Sequence, residues 1–214
     1  MKTVLVTGGT VRLGKAIAVR LRSDGWRVIT SSHRADAGAD IVADLAEPMG
    51  AAKLYAAVLQ MLDGRPPEAL VNNAALFVGE DAAVRSVGFD APKKLTMMMA
   101  GREEGVGSVV NVLDAAVAAA GDGHTLASPA YVEAKRDLEA FTLSSAMMFA
   151  ASLRVNGVAP GAVIVPEGLH ERAGERLLAH RPTPEDVAAA VAYLLGAEAT
   201  TGCVIPVDGG RGTV

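Results

Sequence analysis

The 214-residue chain is short of the residues that define several protein classes, with one cysteine, four histidines and only 4 % aromatic side chains. The single Cys203 excludes an intramolecular disulfide and fits a reducing compartment. His33, His124, His170 and His180 are scattered and share no ligand spacing with Cys203, so no metal centre is expected. The G-x-S-x-G elbow of serine hydrolases is missing. Lysine and arginine number 20 against 24 acidic residues, a net charge of −4 with no basic run, which argues against nucleic acid as a partner. The chain enters a short first strand near residue 3, too brief to span a bilayer and unlike a signal peptide, so no membrane partner and a cytoplasmic location are expected. Internal repeats are absent as well.

What is present is an alternation of short β-branched runs with helical apolar patterns at 50 % hydrophobic content, which suits one α/β layer domain. KTVLVTGGTVRLGKAIAVRLRSDGWRVITSSHR reads as strand, glycine turn, helix with Leu13, Ile17 and Leu21 in rhythm, then a second strand. Gly8 and Gly9 permit a tight turn and Gly14 lets the helix start approach the strand, leaving backbone N–H groups to hold a diphosphate. The second strand ends VITSSHR, without the carboxylate that would bind a ribose 2′-hydroxyl. Ser32, His33 and Arg34 supply donors and positive charge there, and Arg12 in the glycine turn can reach the same place. NADPH is thus expected in preference to NADH.

At the other end of the argument stand Tyr131 and Lys135, four apart where a helical pattern begins, which places phenol and ammonium on one helical face. A lysine beside a tyrosine is expected to lower the phenol pKa and allow proton exchange near neutral pH. A further helix is expected from Thr183, with Pro184 at its first position and Glu185 and Asp186 in its first turn. Between Leu76 and Asp90 the periodicity is weak, which reads as a loop and the start of a helix running through Lys93 to Met97, Met98 and Met99. These methionines, with Met147 and Met148, suit helix packing or an interface.

TGGTVRLG resembles the TGxxxGxG turn of the short-chain dehydrogenase/reductase family, with Arg12 in place of the middle glycine. Asp44-Leu45, Asn72-Asn73-Ala74, the Tyr131/Lys135 pair, Asn156-Gly157-Val158-Ala159-Pro160-Gly161 and the closing VIPVDGGRG follow in the family's order along nearly the whole chain. The resemblance implies a single NAD(P)-binding Rossmann domain over residues 1–214, a doubly wound parallel sheet with helices on both faces. It implies a small-molecule substrate and a homo-oligomer, dimer or tetramer. It also implies that Gly8, Thr10, Arg12 and Leu13 face the cofactor, that Asp44 and Leu45 meet the adenine, that Asn73 and Ala74 brace the sheet beside it, and that Pro160, Gly161 and Val163 lie by the nicotinamide.

After Val109-Val110-Asn111-Val112-Leu113, Asp114 occupies the position where most of the family carries a serine. This, with Arg12 and SSHRADAG, resembles the pteridine reductase and dihydromonapterin reductase branch, and implies the catalytic set Asp114, Tyr131 and Lys135 acting on a pterin-like C=N bond. The chemistry agrees, because hydride addition to C=N leaves charge on nitrogen that a positioned acid must neutralise, and a carboxylate can also hold the amino and ring N–H groups of a pterin. Substrate contacts are expected from Asp114, Tyr131 and Phe77, with Val163, Ile164, Val165 and Leu169 as an apolar wall. Three features depart from the family, one of them a stretch between Asn73 and Asn111 that is shorter than usual and would reshape a helix commonly found at the subunit interface. Asp114 and Tyr131 are 17 positions apart with Gly121-Asp122-Gly123-His124 as an insertion, and Gly88 in VGFDAPKKLT stands where an asparagine normally helps hold a relay water. An ordinary carbonyl or alcohol oxidoreductase, and a non-catalytic NADP(H)-binding sensor or scaffold, are the alternative readings.

Overall fold

The computed structural model describes residues 1–101, 105–120, 127–163 and 177–213. Seven strands form one sheet: β1 (Thr3–Thr7), β2 (Arg27–Ser32), β3 (Ile41–Val42), β4 (Ala69–Asn72), β5 (Gly107–Val112), β6 (Leu153–Pro160) and β7 (Val204–Val207). Their spatial order is β3-β2-β1-β4-β5-β6-β7, and every neighbouring pair is parallel. The order reverses direction between β1 and β4, the switch point at which doubly wound sheets open a crevice. The fold class expected from the sequence is therefore the one observed.

Strand pleating divides the core in two. Val4 and Val6 face one side of the sheet, where they pack with Ile17 and Leu21 of α1 (Arg12–Ser23) and Val187, Val191 and Leu194 of α7 (Pro184–Gly196). Leu5 faces the other, against Leu54 and Val58 of α2 (Gly50–Met61) and Leu95 and Met99 of α4 (Ala91–Ala100). Burial on both faces explains why these strands read as near-continuous apolar runs. Between α2 and α4 lie β4 and a short α3 (Asp81–Arg85), followed by a π-helical turn over Ser86–Asp90. The segment that read as loop and helix start is thus mostly helical, with its register shifted before Pro92. Of the methionines, Met99 is core, whereas Met97, Met147 and Met148 are exposed.

Among the described residues two helix starts are capped by side chains. Thr183 forms a full capping box with Asp186 at α7, with Pro184 in the first turn as expected. Ser128 Oγ accepts from the Tyr131 amide at α6 (Pro129–Met148), which sets the entry of the helix that bears Tyr131 and Lys135. The third strand ends at Val42, before Asp44-Leu45, because the Asp44 carboxylate accepts from the Ala46 amide and turns the chain out of the sheet.

A buried polar chain ties the centre of the sheet to α6. Asn72 Nδ2 donates to Asn111 Oδ1 at 2.8 Å, and Asn111 Nδ2 donates to Thr142 Oγ1 at 2.8 Å. All three residues are almost fully buried. Replacing Asn111 by alanine leaves the Asn72 amide only its longer contacts to the Pro92 carbonyl and Thr96 Oγ1 at 3.4 Å, and takes from Thr142 Oγ1 the donor it accepts from while its own bond to the Leu138 carbonyl stays, so unfolding stability should fall by about 2 kcal/mol in urea titrations. A loss below about 0.5 kcal/mol would show that the chain is not needed for stability.

Candidate active site

The carboxyl ends of β1, β2, β4, β5 and β6 converge on one cleft of about 770 Å³. At its entrance, Thr7 ends β1 and Gly8 turns at φ +63°. A side chain at Gly8 would press on Ala74 and Asn73, and one at Gly14 would collide with the Gly8 carbonyl oxygen, so both positions require glycine. The turn is braced as the Asn73-Ala74 motif predicts. Thr7 Oγ1 accepts from the amides of Asn73 and Ala74 at 3.0 and 3.1 Å, and Asn73 Nδ2 donates to the carbonyls of Thr7 and Gly8 at 2.9 and 3.2 Å. These bonds hold a fixed cradle whose size and glycine geometry fit a dinucleotide.

Around the nucleotide end stand Thr10, Arg12, Leu13, Ser32, His33 and Arg34, with Asp44 and Leu45 on the adjoining wall. Arg12 is exposed and holds φ +48°, a left-handed conformation costly for a side-chain-bearing residue. Glycine would hold that turn without strain. Ser32 Oγ accepts from the Arg34 amide at 3.1 Å. The Arg34 guanidinium itself is engaged bidentately by Asp36, with Nε to Oδ1 at 3.0 Å and Nη2 to Oδ2 at 2.7 Å. The two-residue spacing in HRAD is the only sign of this pair in the sequence.

The far end of the cleft is formed by Asp114, Tyr131, Lys135, Pro160, Gly161 and Val163. Tyr131 Oη donates to Asp114 Oδ2 at 2.8 Å, and Asp114 Oδ1 accepts from the Ala116 amide at 3.0 Å, at the start of α5 (Ala115–Ala120). Lys135 is buried one turn beyond Tyr131, with Nζ donating to the Val112 carbonyl at 2.6 Å and lying 5.7 Å from the Tyr131 ring centre. The expectation that Lys135 lowers the Tyr131 pKa does not hold here. Burial, then the charge and hydrogen bond of Asp114, raise the phenol well above its ordinary value. The ammonium sits beside the ring rather than at the hydroxyl, and the carboxylate reaches the proton instead.

Phe77 packs on Tyr131, ring centres 4.9 Å apart and tilted by 59°, but it does not line the cleft; Leu76 and Val87 do. Phe77 is 40 % exposed. Gly88 lies buried in the π-helical turn, where an added side chain would come within 3.1 Å of Ala134 Cβ in α6. Helix α6 thus fills the room an asparagine would need. The insertion Gly121 to His124 and the wall residues Ile164, Val165 and Leu169 lie outside the described residues. No cluster of three or more metal-ligating side chains occurs among the described residues.

A glycine-turn crevice at a sheet's switch point, with Tyr, Lys and Asp at its inner end, defines an oxidoreductase of the dinucleotide-binding α/β class. The model of the family described as enoyl-(acyl carrier protein) reductase matches residues 92–211, and the chain belongs to this short-chain dehydrogenase/reductase family, whose members bind nicotinamide cofactors. Protein FixR of Bradyrhizobium diazoefficiens is 28 % identical over 244 residues, covering 98 % of this chain and 86 % of that protein. Pteridine reductase 1 of Leishmania tarentolae is 28 % identical over 277 residues, covering 96 % and 94 %. The ligand-free aldohexose dehydrogenase of Thermoplasma acidophilum superposes with a TM-score of 0.85 at 26 % identity, covering all of this chain and 94 % of that one.

Burial lowers the Lys135 ammonium to about 8, against the opposing pull of the Asp114 charge. Its folded value lies below the unfolded 10.5, so between pH 8 and 10.5 the unfolded chain binds more protons and stability rises with pH. Urea unfolding of wild type and Lys135→Met at pH 7 and 10.5 should show the difference moving in favour of wild type by on the order of 3 kcal/mol. A difference that is flat with pH would mean that Lys135 is not desolvated as described.

Proposed function

We propose that the protein is an NADPH-dependent reductase of a pterin-like or related C=N substrate. The observation that carries the reading is the carboxylate of Asp114 at 2.8 Å from Tyr131 Oη, on the inner wall of the cleft. Arg12, His33 and Arg34 at the opposite end support the 2′-phosphorylated cofactor, since a phosphate dianion is favoured by guanidinium groups where no strand-end carboxylate repels it. When bound, that cofactor supplies a hydride to the substrate ring carbon. The protein's task is then to hold the substrate and deliver a proton to nitrogen.

The residues divide that task. With its pKa raised, Tyr131 keeps its proton through the neutral range and is a donor before the reaction. In the substrate-free geometry the proton points at Asp114. A pterin that gives its amino and ring N–H groups to the Asp114 carboxylate would replace that bond, freeing the phenol to face the C=N nitrogen. Proton transfer leaves a phenolate, which the buried Lys135 ammonium beside the ring stabilises. Asp114, on the cleft wall and only partly buried, then offers the route by which the phenol regains a proton. Pro160, Gly161 and Val163 close the side of the pocket next to the reacting ring.

The proposal extends to the whole assembly. The chain acts as a single cytoplasmic domain that associates with its own copies, supported by the exposed Met97, Leu143 and Met147. Among the described residues no helix is long and apolar enough to cross a membrane. The aldohexose dehydrogenase likeness favours a second reading, a carbonyl or alcohol oxidoreductase in which Asp114 is interchangeable with serine.

Loss of NADPH absorbance with dihydrobiopterin, dihydromonapterin or dihydrofolate tests the two. Turnover should fall at least 100-fold in Tyr131→Phe and at least about tenfold in Asp114→Ser. Turnover of ketones but not pterins, unchanged in Asp114→Ser, would establish the second reading. NADPH binding without turnover of either class would point to a sensor.

A further inference from the structure

Arg34 differs from the other cations of the cleft in arriving with its own carboxylate. Asp36 lies two residues on, in the 3-10 turn Ala35–Ala37, which is closed by the Ala37 amide donating to the Arg34 carbonyl and by Gly38 at φ +65°. That local turn brings the Asp36 carboxylate onto the Nε and Nη2 edge of the guanidinium in a two-point fork. A phosphate uses the same planar geometry, so it competes for the same edge. Arg12, by contrast, carries no ion pair among the described residues. The carboxylate also lies within a few ångströms of any dianion that Arg34 holds, well inside the screening length of about 8 Å at physiological salt.

We propose that Asp36 is a specificity-determining residue that weakens the hold of Arg34 on a ribose 2′-phosphate, leaving the protein less selective for the phosphorylated cofactor than its basic residues alone would make it. The inference rests on the NADPH reading given above. A nucleotide with a free 2′-hydroxyl does not need the Arg34 fork and is held without displacing Asp36. Both side chains are exposed, so their pair costs a competing phosphate a modest factor rather than excluding it.

The test measures dissociation constants of NADPH and NADH, by fluorescence or calorimetry, for wild type, Asp36→Asn, Arg34→Ala and the double variant. Asp36→Asn should tighten NADPH about threefold or more and leave NADH within about twofold. The gain should vanish in the double variant, because there is no guanidinium left to release. If Arg34→Ala weakens NADPH while Asp36→Asn does not tighten it, or tightens both cofactors alike, Asp36 has no such role and the NADPH reading survives. If Arg34→Ala leaves NADPH untouched, the NADPH reading loses its support and the Asp36 proposal is overturned with it.

Discussion

The hydrogen bond from Tyr131 Oη to Asp114 Oδ2 joins groups 17 positions apart, and much of the structure can be read as the means of making it. Asp114 is placed by the end of β5 and anchored through its second oxygen to the first turn of α5. Tyr131 is placed by the Ser128 cap, which fixes where α6 begins, and by Phe77 packed on its ring. The Asn72–Asn111–Thr142 chain then locks α6 to the strands beneath it. Each support is a polar or aromatic contact of fixed geometry, which is what a site needs to hold two side chains within hydrogen-bond distance.

Charge distribution along the cleft follows a matching logic. The inner end concentrates a carboxylate, a phenol and a buried ammonium, so proton positions there depend on local electrostatics rather than on solvent. At the outer end the arginines are exposed, and Asp36 pairs with one of them. The strained backbone of Arg12 belongs to the same end, in a conformation that glycine would adopt more easily.

Much of this was legible in the sequence. The strand–turn–helix opening depends on local glycine geometry and apolar periodicity, the parallel sheet follows from the family resemblance, and the positions from Gly8 to Val163 expected to face a cofactor all line the cleft. Other features depend on side-chain direction and through-space charge, which spacing does not encode. Tyr131 and Lys135 share a helical face as expected, yet the ammonium is drawn to the Val112 carbonyl, and burial of the phenol together with its bond to Asp114 reverses the expected pKa shift. Phe77 follows the Asn73-Ala74 turn as read, and its ring packs against Tyr131 without lining the cleft. At Gly88 the sequence showed a missing side chain, and only packing shows that Ala134 fills its place.

Burial and the Asp114 carboxylate together hold the proton on Tyr131. With only three tyrosines in the chain, ultraviolet difference titration of wild type against Tyr131→Phe isolates this phenol. The account predicts no Tyr131 ionisation below pH 10 in the wild type and a lower titration midpoint in Asp114→Asn, where the charge that opposes the phenolate is gone. A Tyr131 phenol that ionises near neutral pH, with a midpoint indifferent to Asp114, would contradict it.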